Sequence, residues 1–176
     1  MAFGNSQPQN FNLLQRNNYK IVINRLPATL FYTQTLKTPE VFFPPIEVPS
    51  PFIQLNYAAS QLKFSNLEFD FKVDENMQNY REIFTWMQGL GSPEDNQQYI
   101  DLKYTNNKDK NKGLRSDISV QVITSSNIPN KEMYFRDCFP VSLSGLSFET
   151  RNLTVNYLSA TVKFSIRDFI ISDVIS

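Results

Sequence analysis

Between Leu67 and Val73 the chain alternates strictly: Leu67, Phe69, Phe71 and Val73 are apolar, and Glu68, Asp70 and Lys72 are polar. A period of two predicts a strand with one face in a core and the other toward solvent. A second long strand is predicted from Tyr157 to Asp168, where Ala160, Val162, Phe164 and Ile166 alternate with Thr161, Lys163, Ser165 and Arg167. Tyr19, Ile21 and Ile23 against Lys20, Val22 and Asn24 predict a third, and Ile118, Val120 and Val122 within 116–124 a fourth. Shorter runs extend the pattern. Residues 30–38 read as the hairpin partner of the first strand, across the turn at Leu26-Pro27-Ala28. Residues 99–104 (YIDLKY) read as a strand forming a long hairpin with 116–124. Residues 133–139 read as another strand, broken by Pro140 and the 142–145 stretch.

One segment has the helical period. From Glu75 to about Leu90, residues Met77, Tyr80, Ile83, Phe84 and Met87 fall on one face, with Asp74 placed to cap the first turn. Gly89 or Gly91 is expected to supply the left-handed stop. The segment TPEVFFPPIEVPSPF holds Pro39, Pro44, Pro45, Pro49 and Pro51. Proline lacks the ladder donor, so this stretch is excluded from a central strand. It is predicted to run as an extended edge or arm, with Val41, Phe42, Phe43 and Ile46 gripping an apolar surface of its own domain or of a neighbouring subunit. The pattern as a whole predicts a mainly β fold, a β-sandwich or half-barrel of about eight strands with one outer helix. Residues 1–17, polar and rich in Asn and Gln, are expected to be a flexible N-terminal arm preceding a β domain at 18–176.

Composition narrows the function. The 176 residues include 15 Phe and 8 Tyr but only 5 Gly, which suits a core filled by large rings. Lys and Arg total 17 and Asp and Glu total 17, a balance that disfavours electrostatic wrapping of nucleic acid but allows a surface past which DNA slides. Histidine is absent, which removes the commonest general base at neutral pH and most zinc sites. Cys138 is the only cysteine, and a buried inert thiol is expected. No Gly-rich phosphate loop opens a helix, and the Asp74-Glu75 pair sits where a helix start needs acid. No catalytic residue, metal ligand or cofactor is therefore assigned. The N-terminus reads as neither a leader nor an anchor, so a protein made in the cytosol is expected. Residues 105–115 carry Lys108, Lys110, Lys112 and Arg115 against Asp109 and predict a basic loop tip.

Several stretches, in this order, resemble the tail-tube protein family of contractile-tailed phages. These are YKIVINRLP, the proline-bearing TPEVFFPPIEVPSPF, LKFSNLEFDFKVDENMQNYREIFTWMQGLG and the closing YFRDCFPVSLSGLSFETRNLTVNYLSATVKFSIRDF. The resemblance covers about residues 18–170. It implies a structural virion protein: a homo-hexameric ring whose subunits contribute strands to one inner β-barrel, stacked into a conduit. The implied partners are sheath and baseplate proteins, a tape-measure protein, and DNA passing transiently through the lumen, in a phage tail assembled in the host cytoplasm. The family also contains baseplate rings that initiate the tube. Pro44-Pro45, where a glycine-containing turn is more usual, and the lysine-rich tip leave both members open. A monomeric β-sandwich binding module is the alternative outside the family. Within the tube reading, Glu68, Asp70, Lys72, Thr161, Lys163, Ser165 and Arg167 are candidates for the lumen or ring interface. Lys108, Lys110, Lys112, Arg115, Pro44 and Pro45 are candidates for ring stacking. Tyr80, Ile83, Phe84 and Met87 are expected to seal the helix onto the core.

Overall fold

The computed structural model describes residues 12–23, 25–58, 60–91, 96–104, 113–151 and 156–174. In chain order the elements are β1 (Tyr19–Ile23), α1 (Pro27–Phe31), β2 (Thr33–Lys37), β3 (Val41–Phe42), β4 (Ile46–Val48), β5 (Leu55–Tyr57), β6 (Lys63–Phe64) and β7 (Leu67–Lys72). Then follow α2 (Gln78–Gly91), α3 (Asn96–Tyr104), β8 (Ser116–Ile123), β9 (Pro129–Leu143), β10 (Ser159–Ser165) and β11 (Asp168–Asp173). Seven strands form one antiparallel sheet in the order β1-β8-β9-β10-β7-β2, with β11 also on β9. The sheet is bent into a half-barrel, and the alternating residues explain why. Leu67, Phe69 and Phe71 of β7 and Ala160, Val162 and Phe164 of β10 are buried on the same side as Ile21 and Ile23 of β1 and Ile118 and Val120 of β8. Each of these side chains except that of Ala160 contributes about 1.5–3 kcal/mol on burial. The Phe69 and Phe164 rings stack with centroids 5.1 Å apart, and Trp86 of α2 reaches Phe164 at 5.8 Å.

Strand β9 is the shared member. Its first part pairs with β8 on one side and β11 on the other, and its last part pairs with β10. From Phe164↔Pro140 to Asp173↔Lys131 the register along β9 is unbroken, so β10 and β11 are two lengths of one bent ribbon. Here β9 turns at Asp137, which sits at φ 54, in the left-handed region. A non-glycine residue persists there only where its surroundings over-determine it. Asp117 Oδ1 accepts from the Asp137 amide at 2.9 Å, and Arg167 pairs with Asp137 Oδ2 at 2.6 Å. Arg136 grips Asp168 with two bonds, at 2.5 and 2.6 Å.

The structure corrects several sequence expectations. Residues 30–38 are not the hairpin partner of β1: residues 27–31 form α1, β1 pairs with β8, and β2 pairs with β7. Residues 99–104 are the end of helix α3, so no long hairpin joins them to β8. Pro140 does not end its strand. β9 runs on to Leu143, and Pro140 sits opposite Phe164 beside a bulge, one of the few places a sheet tolerates proline. The last predicted strand stops at Ser165 and resumes at Asp168.

Helix α2 starts at Gln78, three residues later than a cap at Asp74 requires. Its entry is fixed by Asn79, fully buried. The Asn79 side-chain oxygen accepts from Asp74 N and Tyr80 N, and its amide donates to Lys72 O at 2.7 Å, joining the end of β7 to the helix. No described glycine has a positive φ, so Gly89 and Gly91 do not provide a left-handed stop. Gly89 instead permits close packing: a Cβ there would lie 3.1 Å from a Leu102 methyl of α3.

Candidate assembly interface

The four strands β2, β7, β10 and the end of β9 have one face in the core and present the other as an ordered polar surface. Lys37 lies opposite Glu68, Glu68 opposite Lys163, and Lys163 opposite Ser142, forming one row across all four strands. Within it, Lys163 Nζ is 2.5 Å from Glu68 Oε1. The next row is Thr35, Asp70 and Thr161. Both hydroxyls donate to the Asp70 carboxylate, from Thr35 at 2.5 Å and Thr161 at 2.6 Å. The Thr161 and then the Thr35 bond hold the Asp70 carboxyl below its ordinary value. Lys72 lies opposite Ser159, and Ser165 opposite Phe139. Six of the seven residues expected at a lumen or ring interface thus share two adjacent strands. Arg167 stands apart, in the bend between β10 and β11, bound to Asp137 and 3.7 Å from Asp168 Oδ2. Sequence patterning did not single out Thr35 and Lys37. The alternation in β2 is only five residues long, and its register shifts between Thr33 and Thr35.

Neither edge of this four-stranded surface carries a further strand among the described residues, although the Tyr19 hydroxyl donates to Gln34 O of β2 at 3.0 Å. β2 pairs only with β7, and the Phe139–Leu143 length of β9 pairs only with β10. Unpaired edges are templates for another chain unless they are covered.

The proline segment is an arm. β3 pairs with β6 at its root and β4 with β5 further out, while Phe43-Pro44-Pro45 interrupts the ladder on one side. Among the described residues Val41, Phe42, Phe43 and Ile46 do not join the core: each is 46–52% exposed, and Phe52 is 98% exposed. Pro44 is half-buried and Pro45 exposed. A two-stranded ribbon with its apolar residues in water is marginal alone. Of the basic stacking candidates, Lys108, Lys110 and Lys112 lie outside the described residues. Arg115 lies 3.8 Å from Asp137 Oδ2, beside the bend of β9.

On α2 the inward residues are Ile83 and Trp86, with Tyr80 and Met87 partly buried against the core. Phe84 does not face inward; it is 48% exposed, and Met77 is 38% exposed. Arg25 lies over the Trp86 ring at 4.5 Å and donates to Gly113 O, while the indole N–H donates to Leu114 O at 3.3 Å. Burial, with the Asp117 charge next, pushes the Cys138 thiol up to about 12, which makes it a poor nucleophile. Among the described residues no group of three or more His, Cys, Asp or Glu could hold a metal ion, and no helix is long and apolar enough to cross a membrane.

No protein-family model matches the sequence, and no curated protein does. Solved structures do match the fold. A chain of the sheath–tube complex of an extracellular contractile injection system (PVC, extended state) aligns over 92% of this chain and 93% of its own, with a TM-score of 0.60 and 12% identity. A chain of the sheath/tube terminator of the same kind of system aligns over 92% and 97%, at a TM-score of 0.60 and 12% identity. A chain of the tube-terminating cap of the anti-feeding prophage aligns over 99% and 100%, at 0.59 and 13%. At nearly full length, the half-barrel with its exposed arm therefore has the fold of chains found in contractile injection assemblies.

Proposed function

We propose that the chain is a structural subunit of the tube in a contractile, tail-like apparatus, joining copies of itself into rings that stack into a hollow conduit. The β2-β7-β10-β9 surface is the observation that carries this reading. One face closes the core, the other carries adjacent rows of charges and hydroxyls, and neither outer edge carries a further strand among the described residues. Joined edge to edge around a ring, such sheets make one barrel with no exposed ladder. Glu68, Asp70, Lys72, Thr161, Lys163 and Ser165 then face the lumen. Their charges are interleaved and partly neutralised in place, so a polyanion meets no strong basic track and passes without sticking. The fold likeness to chains of tube-bearing assemblies supports the same role.

The finer reading follows from the sequence resemblance: six copies per ring, sheath and baseplate proteins as partners, and a tape-measure protein and DNA in the bore of a phage tail. In that setting the protein does structural work and carries no catalytic site. Electron microscopy of the purified protein from dilute to concentrated solution, with light-scattering mass, tests the core of the proposal. Rings or hollow tubes are expected; a particle of monomer mass at every concentration overturns it. A second reading, a ring at one end of the tube, is favoured by the full-length likeness to a terminating cap and by the likeness to a chain of the anti-feeding prophage baseplate, at a TM-score of 0.54. It predicts closed rings that do not stack.

A further inference from the structure

The arm and one groove of the same molecule are complementary in apolar character and charge. Between Val41 and Leu62 the arm carries a single charged residue, Glu47, whose carboxylate accepts from Gln54 at 2.6 Å and is exposed. The rest of its surface is mostly aliphatic and aromatic, interrupted only by the uncharged polar residues Ser50, Gln54, Asn56, Ser60 and Gln61. The groove is open, lies between β1 and the α1–β2 turn, and is lined by Arg16, Lys20, Val22, Phe31 and Gln34 among others. Phe31 is 84% exposed there, Arg16 and Lys20 are exposed, and no acidic residue lines it. The groove thus offers an apolar seat flanked by two cations, and the arm offers an apolar ribbon with one anion.

Topology separates the two partners. The arm root is packed on β11 through Phe64 and Phe169, whereas the groove borders β1. β11 and β1 are opposite edges of the part of the sheet that β8 and β9 connect. A protrusion at one edge and its receptor at the other is the arrangement that joins copies head to tail and closes into a ring or propagates as a stack. We propose that the arm of one copy seats in the β1–α1–β2 groove of the next, Phe31 packing under its apolar face and Glu47 meeting Arg16 and Lys20. The arm docks through side chains at the start of β2, where Thr33 and Gln34 line the groove, and the Thr35–Lys37 length of β2 lies beyond that lining. This inference rests on the tube reading, and it names the contact that reading leaves open.

A cysteine pair tests it, because Cys138 is the only native cysteine and is buried. The Phe31→Cys/Phe52→Cys chain, assembled and then oxidised, is expected to give a ladder of covalent dimers, trimers and higher species on a non-reducing gel, and the single variants no ladder beyond dimer. In parallel, Glu47→Lys should raise the concentration needed for assembly by about tenfold, because it sets like charges together. Combining it with Arg16→Glu and Lys20→Glu should restore most of the loss. A double-cysteine chain that assembles but yields no ladder overturns the docking and leaves the tube reading standing. A wild-type chain that is monomeric at every concentration overturns both.

Discussion

The Phe64 ring meets the Phe169 ring edge-on, with centroids 5.6 Å apart and planes 68° apart, and this contact is where the arm ends as a free ribbon and becomes part of the domain. Phe169 continues inward to Phe135, at 5.3 Å, so the root of the arm is tied to the core through one chain of rings. Beyond the root, the β4–β5 ribbon is exposed throughout. Replacing residues 45–58 by a short flexible turn should therefore cost the isolated chain less than about 1 kcal/mol. The same change should abolish rings and tubes. Thermal melting and microscopy on one preparation would separate the two effects. A large drop in melting temperature would show that the arm is part of the domain's own core.

Helix α2 makes a test of orientation. Ile83 is fully buried and its neighbour Phe84 is 48% exposed. Ile83→Ala should cost about 2–4 kcal/mol, because a buried aliphatic group is lost and a cavity remains. Phe84→Asp should leave a folded protein, destabilised by less than about 1 kcal/mol. Trp86 is the only tryptophan and is 2% exposed, so the red shift of its emission in urea reports both changes directly. If Phe84→Asp unfolds the chain, α2 is rotated relative to the face described.

What the sequence reveals and what it hides divide along physical lines. β7 and β10 are legible because each alternates over six or seven residues between a core face and a wet face, and their burial follows that alternation. Which strand pairs with which is not local information. The turn at Leu26-Pro27-Ala28 suggests a hairpin, yet β1 finds its partner about a hundred residues away in β8. Residues 99–104 are ambiguous by themselves, since six residues fit either period, and the packing of Leu102 against Gly89 accompanies the helix. Asn79 shows only as a polar residue in a helical first turn. Its three bonds to the backbone follow from how β7 ends. The polar face was readable as a set of alternating residues. Its extension onto Thr35 and Lys37 required knowing that β2 lies beside β7.

The bend of β9 rests on one residue in an uncommon conformation. At φ 54, Asp137 occupies a region open to Gly, Asn and Asp and closed to β-branched side chains. Asp137→Val should cost about 1–3 kcal/mol, combining backbone strain with loss of the Arg167 contact. Asp137→Gly relieves the strain while losing the same ion pair, so it should be distinctly milder than valine. Urea midpoints of the two variants check this. Equal losses would mean that the bend is held by the ion pairs alone.

Two carboxylates connect the polar face and the bend to pH. Asp70 is held below its ordinary value of 3.8 by the Thr161 and Thr35 hydroxyls, and Asp168 below its own by the Arg136 bond first and by the charges of Arg136 and Arg167 after it. A carboxyl whose folded value is depressed binds fewer protons folded than unfolded. Its contribution is fully present above the unfolded value and is lost as pH falls through the folded one. Stability should thus be flat through neutral pH in this respect and decline from about pH 5 downward. Asp70→Asn and Asp168→Asn each remove one titrating group, so each should be less stable than wild type at neutral pH, with the difference shrinking toward acid. The two sites are expected to act additively, because Asp70 belongs to the β2-β7-β10 row and Asp168 to the β9–β11 bend. Urea midpoints at intervals of pH, on the unassembled chain, read both curves. A wild-type profile that keeps the same acid slope in both variants would show that neither carboxylate carries the acid sensitivity.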